Sequence, residues 1–161
     1  MDKFSFLLFF PVFFLPACSS KPKCQFKPEP VFSAGLPHIV QYKFEKQENQ
    51  SFESLLLDTN VLSEINQEVC NQTRQEYRFT VPGDFSVFPD SMWLKEAVRQ
   101  LVFLSTFSPR HAPLKAWADV LEAQRPAMRL GADQEVQPGV HVRVDRIVSP
   151  EQSTLLLVLS Q

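Results

Sequence analysis

From His38 onward the chain alternates. Val40, Tyr42 and Phe44 are interleaved with Gln41, Lys43 and Glu45, the period of two that half-buries a β-strand. Lys46 to Gln50 reads as a polar turn. Phe52 to Leu57 reads as a second strand, ended by the turn formers Asp58-Thr59-Asn60. In a third, Val61, Ile65 and Val69 share a face with Ser63 and Gln67. Cys70 to Thr73 turns the chain, and Tyr77, Phe79 and Val81 then alternate with Glu76, Arg78 and Thr80 in a fourth. Short polar turns between alternating strands predict an antiparallel meander.

Pro82-Gly83-Asp84 punctuates the pattern, and the period becomes helical. Asp90 or Ser91 is placed to cap a helix. Its apolar face carries Trp93, Leu94, Ala97, Val98, Leu101 and Leu104, with Lys95, Glu96 and Arg99 elsewhere. Ser108-Pro109 closes it. Pro113 suits the first turn of a second helix, whose stripe is Leu114, Trp117, Ala118 and Leu121 and which Pro126 stops. A final β-hairpin follows. Val140, Val142 and Val144 alternate with His141, Arg143 and Asp145, Ser149 to Gln152 turns, and Leu155 to Leu159 is apolar without a break. An unbroken run marks a strand buried on both faces, central in a sheet. The expected fold class is α+β: an antiparallel meander, a helical hairpin and a C-terminal β-hairpin packed as one two-layer domain over 38–161.

The first residues follow a different rule. Phe4 to Leu15 is an apolar run of about 12 residues, the length of a signal h-region and short of the roughly 20 a membrane-spanning helix needs. It ends in Leu15-Pro16-Ala17-Cys18. This stretch resembles the lipobox of bacterial lipoproteins. The resemblance implies cleavage after residue 17, lipidation of Cys18, and a mature protein anchored by acyl chains. Ser19 at the second mature position, in place of Asp, implies sorting to the periplasmic face of the outer membrane. Residues 18–37 hold Pro22, Pro28, Pro30 and Pro37 with Lys21, Lys23 and Lys27, which predicts a semi-rigid tether.

With Cys18 lipidated, Cys24 and Cys70 are the remaining thiols. An oxidising compartment favours their pairing, although sequence alone leaves two free thiols open. The 16 basic and 18 acidic residues are interspersed, for a net charge of −2, without the basic stripe of a nucleic-acid surface. The four glycines are isolated, so no phosphate-cradling loop is expected.

The search for chemistry yields little. His38, His111 and His141 belong to no metal-ligand spacing, and no C-x-x-C is present, so neither metal nor cofactor is expected. His38 and His111 read as loop residues, and His141 as an outward strand residue. No G-x-S-x-G elbow occurs, and no catalytic residue is nominated. Trp93 and Trp117 read as helix packing, and the Asn49 and Asn71 sequons as chance. The expected function is a non-catalytic binding module whose partner is an envelope protein. Its surface is the polar face of the meander: Glu64, Asn66, Glu68, Glu76 and Arg78. A carrier of lipid or another apolar ligand, with a pocket lined by Phe52, Leu56, Trp93 and Leu155, is one alternative. An envelope hydrolase with a histidine near a serine or carboxylate is the other.

Overall fold

Among the described residues, seven strands and two helices make up most of the structure. They are β1 (Ile39–Lys46), β2 (Gln50–Leu57), β3 (Leu62–Val69), β4 (Thr73–Pro82), α1 (Asp90–Ser105), α2 (Pro113–Gln124), β5 (Asp133–Gln137), β6 (Val140–Val148) and β7 (Gln152–Ser160). A 3₁₀ turn at Pro109–His111 joins the helices. The computed structural model describes Cys24, residues 27–70 and residues 72–161. The lipobox and the Asn71 sequon lie outside the described residues. No helix among the described residues is long and apolar enough to cross a membrane.

All seven strands form one antiparallel sheet in the order β1-β2-β3-β4-β7-β6-β5. The meander is the continuous half. The unbroken apolar run becomes β7, which sits between β4 and β6 and welds the halves together. Leu155, Leu157 and Leu159 enter the main core beneath the helices. Leu156 and Val158 point to the other face yet are also buried. The register flanks Leu156 with Arg78 and Asp145, and Val158 with Glu76 and Arg143.

The expected hairpin is present as β6 and β7, and a strand that the pattern did not announce, β5, joins it. Its sequence, Asp-Gln-Glu-Val-Gln, offers one apolar residue, Val136, to the core. An edge strand with so little to bury carries almost no hydrophobic signal. Gly139, with φ of 73°, makes the turn into β6.

The helices cover one face. α1 lies on β6 and β7, and α2 packs against α1. Trp93, Leu94, Ala97, Leu101 and Leu104 are buried along α1, and Leu114, Ala118 and Leu121 along α2. Pro89, rather than Asp90 or Ser91, occupies the N-cap of α1 and makes no side-chain cap. Asp90 instead pairs with Arg146 at 2.9 Å, a negative charge in the first turn where the helix dipole favours it.

The proline-rich segment departs furthest from expectation. The sequence pattern extends the tether to residue 37, but Pro28 is buried and Phe32, 2% exposed, is part of the core. Burying one phenylalanine stabilises by about 1.5–3 kcal/mol, enough to hold a short segment whose prolines have already lost backbone freedom. Residues 28–37 thus form a strap on the helix side of the sheet. Cys24 and Cys70 are disulfide-bonded, with Cα atoms 4.4 Å apart, which fixes the start of the strap to the β3–β4 turn.

Candidate functional site

The expected surface residues do come together. Glu64, Asn66, Glu68, Glu76 and Arg78 lie on the sheet face opposite the helices, because all occupy strand positions of the same parity. In register, Glu64 faces Arg78, Asn66 faces Glu76, and Glu68 faces Arg74. Glu76 is the organising residue. Arg74 Nη2 donates to its Oε2 at 2.8 Å, while Arg78 Nε and Nη2 donate to its Oε1 at 2.9 and 2.7 Å. Burial would raise the Glu76 carboxyl, but the two guanidiniums outweigh it and hold the carboxyl below the ordinary range. Arg74 was not anticipated. It stands one residue after a turn, where a charged side chain looks like ordinary solvated surface.

Apolar side chains share this face. Leu56 and Leu62 are directly opposite one another, and Phe52 faces Asn66. Leu156 and Val158 form a second apolar patch on this face, separated from the first by Glu76 and Arg78 of β4. A groove of about 310 Å³ opens at one end, lined by Glu45, Phe52, Asn66, Glu68, Arg74 and Glu76. Among the described residues both helices lie on the other side of the sheet, α1 over β6 and β7 and α2 against α1.

The helix side carries a separate polar hub that sequence reasoning missed. Glu53 is fully buried. Its carboxylate accepts the backbone N–H of Val31 at 2.5 Å and of Phe32 at 2.9 Å, and the Tyr42 hydroxyl at 3.3 Å. Burial pushes its carboxyl upward, only partly opposed by those donors. Burial and the neighbouring carboxylate push Tyr42 up to about 12. A signal for Glu53 existed: it shares parity with Leu55 and Leu57, the two buried leucines of β2.

His111 lies in the turn that joins the helices, where the sequence places it, but it is only 4% exposed. Its Nε2 lies 2.8 Å from the Val31 carbonyl and its Nδ1 lies 2.9 Å from Ser108 Oγ. The carbonyl can only accept, so Nε2 donates to it, and in the neutral ring Nδ1 accepts from Ser108. A serine donating to a histidine is the start of a nucleophile–base pair, but here the imidazole stacks on Phe32 at 4.5 Å between ring centroids, and none of the four clefts described in the protein is lined by either residue. The pair clamps the strap, as does Arg110 through the Pro30 carbonyl at 3.0 Å. His38 pairs with Asp58 at 2.8 Å, and His141 with Asp133 at 3.3 Å. Among the described residues no group of three or more His, Cys, Asp and Glu side chains is arranged to hold a metal.

The pocket expected from Phe52, Leu56, Trp93 and Leu155 does not form. Phe52 and Leu56 lie on the open face, while Trp93 and Leu155 lie on the helix side. Trp93 and Leu155 instead line a cleft of about 260 Å³ with Phe79, Val81, Phe85 and Met92. Val87, Phe88 and Met92 are exposed in and beside the loop that borders it, Val87 by 84%. Comparison with known protein families, with curated proteins and with solved structures finds no match.

Proposed function

We propose that this protein is a lipid-anchored protein of the cell envelope, tethered through Cys18, and that it works as a non-catalytic binding module. Its binding surface is the uncovered sheet face. One observation carries the reading: among the described residues neither helix lies on this face of the seven-stranded sheet, and its central carboxylate is held by two arginines. Fixed charges around partly buried apolar residues are the makeup of a protein–protein interface. Pre-ordering by the Glu76 cluster reduces the side-chain entropy lost on binding.

The test is site-specific photocrosslinking in the native envelope. A crosslinker at Asn66, on the open face, is expected to capture one envelope protein. A crosslinker at Ala123, on exposed α2 surface, is expected to capture none. Arg78→Glu combined with Leu56→Asp is expected to lower the yield about tenfold or more, the equivalent of about 1.4 kcal/mol or more of binding. Equal yields from both positions would remove the sheet face from consideration.

The cleft lined by Trp93 and Leu155 supports a second reading, carriage of a small apolar ligand. Concave, largely apolar pockets with a few polar groups are the usual form of such sites. A fluorescent fatty acid that binds the protein and is displaced by Leu155→Trp would favour it.

A further inference from the structure

We infer that the turn end of the sheet is the membrane-facing end of the molecule and rests on the lipid headgroups; this deepens the tether reading above and depends on acylation of Cys18. The reasoning is covalent. The disulfide joins Cys24 to Cys70, in the turn between β3 and β4. At the same end lie the β1–β2 turn, where Val69 donates to the Asn49 carbonyl, and Gln161, whose backbone pairs with Thr73. The β5–β6 turn at Pro138-Gly139 is there too, since His141 faces Ser160. The opposite end carries the β2–β3 and β6–β7 turns and the Pro82–Pro89 loop. Strands of eight to ten residues separate the ends, a distance of about 30 Å.

Cys18 and Cys24 are six residues apart, which spans at most about 22 Å when fully extended. An acyl anchor at Cys18 therefore stays close to the turn end and falls short of the far end. Without the disulfide the next fixed point would be the strap near Pro28, and the reach would grow to about 35 Å, longer than the sheet itself. The disulfide shortens the leash, so that the turn end and not the far end is held near the bilayer.

The surface agrees with this placement. Residues near the turn end are polar and of both signs, such as Lys27, Glu29, Lys46 and Glu48, suited to headgroups rather than to insertion. Trp117 lines a cleft there with Val136 and Val140, and a half-buried tryptophan is favoured at the level of headgroups. Of the exposed large apolar residues, Val40, Val87, Phe88, Met92 and Ile147 lie at the far end, and Val102 is the exception, near the C-terminus of α1. The strands stand upright on the bilayer, the open face looks sideways along it, and the apolar cleft faces the aqueous compartment.

Energy transfer on the intact lipidated protein tests this. A fluorescent amino acid is placed at Glu48 in the β1–β2 turn or at Ser86 in the far loop. The protein is reconstituted in vesicles of phosphatidylethanolamine and phosphatidylglycerol bearing a headgroup acceptor. Position 48 is expected to lie about 20–30 Å nearer the headgroup plane than position 86, the length of the strands. Cys24→Ser with Cys70→Ser is expected to level the two distances. Should that variant not fold, about twenty Gly/Ser residues inserted after Ser20 lengthen the leash by about 25 Å and are expected to do the same. Equal distances in the unmodified protein, or position 86 the nearer, overturn the inference. Intact mass separates the failures: an unacylated Cys18 overturns the tether and the orientation together, whereas an acylated Cys18 with equal distances overturns the orientation alone.

Discussion

Glu53 decides how the strap is held, and it does so at a cost. A buried carboxylate with a raised affinity for its proton makes the folded state the better proton binder. Stability from this group is therefore full below about pH 4.5, its unfolded value, and falls as pH rises through the raised folded value. Glu53→Gln abolishes that slope and turns an amide NH₂ toward one of two backbone donors. Urea unfolding of both proteins across roughly pH 4 to 8 is expected to show wild type furthest ahead at the acid end, the gap narrowing as pH rises. A gap that widens with pH would mean the carboxyl is not raised. Ser63 is the opposite case. It is fully buried on β3, and its hydroxyl has no partner among the described residues. Ser63→Ala is expected to raise stability by about 1 kcal/mol, since it removes a desolvated hydroxyl at little loss of packing, and calorimetry reads this as a higher Tm. Neither role was legible locally. Parity placed Glu53 and Ser63 on the apolar face, but what meets them there comes from other segments, 21 residues upstream in the case of Glu53 and Phe32.

Among the elements, those that bury a stripe or an alternating face were legible. β1 to β4, both helices, β6 and β7 follow hydrophobic periods that the sequence displays. The failures have a common cause. β5 is paired through its backbone and gives the core only Val136, and the strap is held through main-chain N–H and C=O groups that any residue possesses. Periodicity reads side chains and is blind to such contacts. The strap's one strong side-chain anchor is Phe32, stacked on His111 and edge-on to Phe107. Phe32→Ala is expected to cost about 3 kcal/mol or more. It is also expected to release the Val31 and Phe32 amides, so that hydrogen exchange at these positions accelerates well beyond that of β2 and β3. Exchange that rises equally across the sheet would show instead that the strap and the sheet open as one unit.

At the scale of the whole molecule, the parity rule also gathered Glu64, Asn66, Glu68, Glu76 and Arg78 on one face, whereas which face the helices would cover was not readable from any one strand. The disulfide joins cysteines separated by 46 positions in sequence. Its reduction is expected to lower stability by about 4 kcal/mol on the chain-entropy argument, with the sheet retained; unchanged unfolding in reductant would mean that strap and core already hold the segment as tightly. The position of β7 has one more consequence. It follows every other described element in the chain, yet it sits in the middle of the sheet, between β4 and β6. Until its residues have left the ribosome, β4 has an open edge and β6 has no inner neighbour, so the two halves of the sheet cannot meet. Synthesis thus delivers the keystone after both halves that it joins, and the elements made before it cannot lock into the native form by themselves. That is the state in which a polypeptide can still be threaded through a narrow translocation pore.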